Sequence, residues 1–381
     1  MRTRGIARWS VLCVAGVIAT AARAAEPPPL DIPESALNAT LTGNNLKIVE
    51  DFTGYWAGAM LAAKADDAVL AAKAKLVTSY SKYDSTFFKS AYALSAAKAL
   101  QPVLDAKGPL KGVLQVNAGQ AIAAMPQLSV LPLLEKMAVN PEAVVRYYAW
   151  RTCKGLLPQL ASGPKDEAKK LFALVGDRMG KEKSGEVLGM MFQLLNLAPL
   201  DMSSASDDFR ALAASEPEAI VAKNWPALCR AVVAGDEQAA AGAHDGVHAL
   251  VWLSSQAGAD KARVKADLQE VVDMMWCAAL AYDRALAAGK GAEGTAKAEA
   301  DARAEAMAQL LMDCETDLNA ATGKKNAFVQ AALSKPNARD RGADVQLAVV
   351  SWVENLKDAG VVQPAYSAPP APASAPSGGP G

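Results

Sequence analysis

Leu131-Pro132-Leu133-Leu134-Glu135-Lys136-Met137, then Asn140-Pro141, then Val144-Val145-Arg146-Tyr147-Tyr148-Ala149 running on to Leu156-Leu157, is the stretch whose reading decides the fold. Apolar residues recur at helical spacing on both sides of a proline that lacks the N–H to continue a helix. The pattern therefore predicts helix, Asn-Pro break, helix. A hairpin this short cannot cover its own apolar stripes, so it requires stacked neighbours.

Working outward, Ile48, Phe52, Tyr55, Trp56 and Met60 mark a helix over 46–63, and Val69, Leu70, Leu76 and Val77 mark another over 66–80. Asp84-Ser85-Thr86 reads as a helix start, and that helix should run to about Leu104 through Phe87, Phe88, Tyr92 and Leu100. Val113, Leu114, Val116 and Ile122 predict a fourth helix over 110–125. Alternating strand-type runs are nearly absent, and alanine, the best helix former, is abundant.

The central hairpin resembles a HEAT repeat. Leu131 to Leu134 match the Leu-Pro-Leu-Leu of the first helix, and Pro141 stands at the turn. Val145-Arg146 comes early in the second helix, Ala149 is the small residue three positions on, and Leu156-Leu157 closes the pattern. Asn140 stands where the family usually has an Asp. The flanks of Val116-Asn117-Ala118 echo the second helix, and residues around Met190 do so more faintly. The resemblance implies an all-α chain: a right-handed α-solenoid of HEAT-like hairpins over 46–199, working by binding partners.

Beyond Pro199 the character changes, and a boundary is expected near residue 200. Helices are expected at 207–214, 225–233 and 238–254, followed by two long ones at 260–288 and 295–321. Gly289 to Gly294 should join the long pair as an antiparallel hairpin. A last helix is expected at 344–357, so 200–360 should form a C-terminal helical bundle or hairpin.

Both ends read as processing or linker material. Arg2, Arg4 and Arg8 precede an uncharged run from Ser10 to Ala22, and Ala22-Arg23-Ala24 offers small residues for cleavage, so 1–24 is expected to be a signal peptide. The apolar run is short of the ~20 residues of a membrane span, which argues against a retained span. Leu12 before Cys13, inside the apolar run, does not fit a lipoprotein. Residues 25–45, with Pro27-Pro28-Pro29, read as an extended lead-in, and Asn38-Ala39-Thr40 forms a sequon. The Pro/Ala/Ser/Gly composition of 361–381 predicts a disordered tail.

Removing the leader takes four of the 39 basic residues and none of the 40 acidic ones, an acidic surplus of about five. That balance argues against a general nucleic-acid binder. Lys324, Lys325, Lys335, Arg339 and Arg341 are the nearest thing to a basic patch; Asp340 and Asp344 interrupt it, as in a solvated loop. Cys153, Cys229, Cys277 and Cys314 remain after cleavage, with no C-x-x-C. Apolar neighbours favour buried thiols, while export would permit a disulfide.

The chain's two histidines lie together in His244-Asp245-Gly246-Val247-His248. On a helix, positions four apart share a face, so both imidazoles could meet one metal ion, with Glu270 as a third ligand. Gly242 and Gly246 weaken the helix that this requires, and half-exposed histidines are the simpler reading. Asp207-Asp208, Glu216 and Glu218 read as dipole partners at helix starts. Met190-Met191 and Met274-Met275-Trp276 read as flexible core filler.

The leading expectation is a non-enzymatic, exported scaffold, periplasmic or extracellular, that binds another protein or an envelope component. No catalytic residue, cofactor or metal ligand is assigned, no nucleic acid is expected, and the oligomeric state is open. One alternative is a metal-dependent hydrolase using His244 and His248. Another is a structural envelope protein whose tail acts as a spacer.

Overall fold

The computed structural model describes residues 31–32, 43–256, 261–336 and 338–367. The expected leader, the sequon and residues 368–381 lie outside them. Among the described residues there are fourteen α-helices and no strand. They are α1 (Asn44–Ala62), α2 (Asp66–Ser81), α3 (Thr86–Leu104), α4 (Lys111–Ala123), α5 (Leu131–Met137), α6 (Ala143–Ser162) and α7 (Lys165–Met179). Then follow α8 (Gly185–Leu195), α9 (Asp207–Val233), α10 (Glu237–Ser254), α11 (Lys261–Gly289), α12 (Gly294–Thr322), α13 (Phe328–Leu333) and α14 (Ala338–Asn355).

Local chemistry starts several of these helices. Ser85, Ser184 and Ser206 each accept a hydrogen bond from the backbone N–H three residues on, and Asp236 accepts from Gln238 and Ala239. The two helices expected around 207–214 and 225–233 are one, α9, with Pro217 and Pro226 inside it. Each proline removes one ladder bond, but α9 packs on α7, α10 and α11 and buries Phe209, Ile220, Val221, Trp225 and Val232. Tertiary burial outweighs the local cost.

Packing links the helices in sequence order and beyond. α1 lies on α2 and α3, α4 reaches from α2 and α3 to α6, α6 meets α8, and α8 meets α10. α10 also touches α9, α11 and α12, while α11 packs on α12 and α14. The expected hairpin of long helices is present as α11 and α12: a Cβ on Gly289 would lie 3.4 Å from Ala300, and Cys277 falls beside Cys314, an antiparallel register. One continuous core of buried side chains runs from Ile32 to Val361.

Two buried carboxylates fasten distant segments. Glu315 on α12 accepts from the backbone N–H of Val329 and Gln330, so it caps α13, and it also accepts from Trp352 Nε1 on α14. Glu182, in the turn between α7 and α8, takes Arg146 Nη2 at 2.7 Å and Nε at 2.8 Å in a two-point grip. Arg146 Nη1 also donates to the carbonyls of Asn140 and Pro141 at the turn before α6. Burial alone would raise the Glu182 pKa, but Arg146 and the N–H groups of Ser184 and Lys183 outweigh it and hold the carboxyl below its usual value.

Residues 361–367, expected within the tail, run back along α11. The Gln269 side chain both donates to the Val362 carbonyl and accepts from its N–H, and Trp276 Nε1 donates to the Tyr366 carbonyl. Burial of Val361 and these main-chain bonds offset the ordering entropy of the segment.

Arg146→Ala should lower stability by about 2–3 kcal/mol, because it strands a buried charge-assisted acceptor. Chemical denaturation should show a lower midpoint with an unchanged slope, and a midpoint equal to the parent's would remove this grip from the fold's supports.

Candidate functional site

The site is built on α10, and its orientation is set by two glycines. A Cβ on Gly242 would stand 2.6 Å from Leu188 Cδ2, and one on Gly246 would stand 2.7 Å from Trp225 Cζ3 and 3.1 Å from Phe192 Cζ. Read from sequence, Gly242 and Gly246 weaken this helix; in the fold they permit its close approach to α8 and α9. From the other side, Gly185 and Gly189 on α8 admit the backbone of Gln238 and the carboxylate of Asp245. With the glycine face against α8, the positions two residues on, His244 and His248, turn towards α12.

There they meet a matching pair of acids. His244 Nδ1 lies 2.6 Å from Asp313 Oδ2, and His248 Nδ1 lies 2.5 Å from Asp317 Oδ2. The second contact is too bent for a good hydrogen bond, so Coulomb attraction carries it. Gln309 Nε2 donates to Asp313 Oδ1, which fixes that carboxylate from behind. The imidazole rings are 4.7 Å apart and nearly perpendicular. Pairing with Asp313 raises the His244 pKa above its ordinary 6.5 against the opposing effect of burial, and pairing with Asp317 does the same for His248.

The histidine side chains keep 43% and 39% of their surface exposed, while Asp313 and Asp317 keep only 12% and 9%. An open groove of about 420 Å3 runs beside His244 between α10 and α12, floored by Ala240, Ala241, Ala302 and Ala306 and edged by Glu305 and Asp313. Asp245, between the histidines in sequence, faces the other way and accepts from Gln193 on α8; burial raises its pKa.

Glu270 does not join them. Its backbone carbonyl accepts from Trp225 Nε1, and its carboxyl lies in an acidic group with Asp267, Asp273 and Glu218 on the α11 side. Burial foremost, then these neighbours, lifts Glu270 to about 8, and burial lifts Asp267 to about 7. Among the described residues no three His, Cys, Asp or Glu side chains group to hold a metal. The three-ligand arrangement that a zinc hydrolase needs is therefore not assembled around His244, His248 and Glu270.

Asp207 and Asp208 sit in the first turn of α9, where Asp207 pairs with Arg210 and Asp208 with Lys165. Glu218 pairs with Arg263. Met190, Met191, Met274 and Met275 are buried in the core. Cys153, Cys229, Cys277 and Cys314 are buried free thiols, with Cys277 against Cys229, and both contact and burial push the Cys277 thiol up. Of the basic patch, Lys324 donates to the Asn355 carbonyl and Lys335 pairs with Asp344; the Arg339 side chain lies outside the described residues.

Asp313 and Asp317 are the residues that sequence reasoning missed. Their spacing of four on α12 repeats that of the histidines on α10, which was the available signal; that the two helices lie side by side was not. No family model matches the chain, and no curated protein matches it.

Gly246→Ala should destabilise the fold by about 1–3 kcal/mol, the usual range for overpacking, although alanine is the better helix former. Thermal unfolding checks this, and a rise in Tm would show that α10 is not held as described. The histidine pairs make a second expectation. Their raised folded-state pKa values mean that they stabilise fully below about pH 6.5 and lose that contribution as pH rises through the folded values. Glu270 and Asp267, lifted to about 8 and 7, add a fall of the same sign. The histidine share is thus the difference between parent and the His244→Gln, His248→Gln double variant. Denaturation midpoints should differ at pH 6 and converge at alkaline pH; a gap that widens with pH would reverse the assignment.

Proposed function

We propose that this chain is an exported, non-enzymatic scaffold that binds another protein or an envelope component. In this reading residues 46–199 form a right-handed α-solenoid of HEAT-like hairpins, and 200–360 form a helical bundle that closes it. The observation that carries the reading is the grip of Arg146 on Glu182. An arginine early in the second helix of one pair reaches the turn of the next pair, which sets the spacing between successive pairs. The resemblance leads one to look for an Asp at the turn where Asn140 stands; here the acid comes from the following turn instead. Stacking of this kind leaves long helical faces available for partners. The basic, apolar, small-residue order of the first 24 residues supports export.

Fusing residues 1–30 to a reporter active only outside the cytoplasm should give signal, with a mature N-terminus near Ala25. A reporter that stays in the cytoplasm overturns the export claim. Crosslinking in the exporting cell, with the full chain and with a chain lacking 363–381, tests the binding claim. A shared partner set supports a helical binding face, whereas partners lost with the tail support the spacer reading.

A further inference from the structure

We propose that His244 and His248 form a two-nitrogen site for a divalent transition-metal ion, with Cu2+ as the preferred ion and water completing its shell. The inference is independent of the scaffold reading. Both Nδ1 atoms face their own carboxylate, at 2.6 and 2.5 Å. A carboxylate at Nδ1 keeps the proton there in the neutral ring and leaves the lone pair on Nε2. It also orients the imidazole and raises its basicity, the outer-shell arrangement found behind metal-binding histidines. Asp313 makes that hydrogen bond to His244, and at His248 the charge of Asp317, 2.5 Å from Nδ1, favours the same tautomer by Coulomb attraction; the parallel register of α12 supplies both acids.

The ring separation fits a shared ion. Two imidazoles bound to one ion at about 2.0 Å, at 90–100° to each other, have centres about 4.4–4.8 Å apart. The observed separation is 4.7 Å. An angle near 90° belongs to the tetragonal N/O geometry of Cu2+, which also binds such donors most tightly among the first-row divalent ions. Asp245 is held by Gln193, and Asp313 and Asp317 are nearly buried and engaged at the Nδ1 atoms, so the remaining positions fall to water. The half-exposed rings and the adjoining groove give an ion a way in and leave open positions on it. On binding, any proton carried by an Nε2 passes to solvent.

The test is titration of Cu2+ into the untagged full chain, followed by calorimetry and by electron paramagnetic resonance. One ion per chain with hyperfine splitting from two imidazole nitrogens is expected. His244→Ala or His248→Ala should each reduce the splitting to one nitrogen and weaken binding. Asp313→Asn, which keeps both ligands, should weaken binding by about 10–100-fold. Helicity by circular dichroism verifies that each variant folds. A parent spectrum with one imidazole nitrogen or none overturns the site without any variant. So does affinity unchanged in either histidine variant or in Asp313→Asn.

Discussion

Gly242 and Gly246 let α10 approach α8 and α9 so closely that a single added Cβ would meet Leu188, Trp225 or Phe192 inside contact distance. From that position α10 also touches α11 and α12, and so joins the helices on either side of residue 200. The approach fixes the rotation of α10 about its own axis. Once the glycine face is turned to α8, Asp245 goes with it to Gln193, and His244 and His248 go to α12. Close packing transmits small changes in shape, so the rotation is determined by the smallest side chains on the helix. The cost is the extra backbone freedom of two mid-helix glycines, which the packing of α10 against four neighbours outweighs.

Two buried carboxylates share one arrangement of donors. Glu182 and Glu315 are both nearly covered, and both are surrounded by N–H donors: Arg146 with two backbone amides for the first, two backbone amides and an indole for the second. Each therefore ties together segments far apart in sequence, because a desolvated carboxylate is stable only where its oxygens are satisfied. In the acidic group of Asp267, Glu270 and Asp273, burial outweighs the Gln269 donor on Asp273 and the Arg263 charge near Asp267, and all three pKa values shift upward. The same fold thus treats its buried carboxylates in two opposite ways.

Much of the helical framework was legible in the sequence. The ends of α1, α2, α3, α10, α11 and α12 fall within a few residues of those that apolar spacing and capping residues indicate, because these are short-range signals. The burial of the four thiols and of the methionine clusters also followed from their neighbours. α9 was not legible, because Pro217 and Pro226 are local breakers whose effect is overruled by contacts made elsewhere in the chain. The strap over 361–367 was hidden for a similar reason: its composition resembles a tail, and its order comes from Gln269 and Trp276 on another helix.

The candidate site divides along the same line. Helical periodicity alone put His244 and His248 on one face, since a spacing of four is a property of the helix. The sequence likewise settled that the chain would be helical and where most helices begin. Only the tertiary structure decided what that face meets. It paired the histidines with Asp313 and Asp317, residues 69 positions away, and it left Glu270 with other acids. It also turned Gly242 and Gly246 from weaknesses of a helix into the surface on which that helix is seated. The physical reason is range: propensity, capping and periodicity act within a few residues, whereas side-chain partners depend on how whole helices are packed.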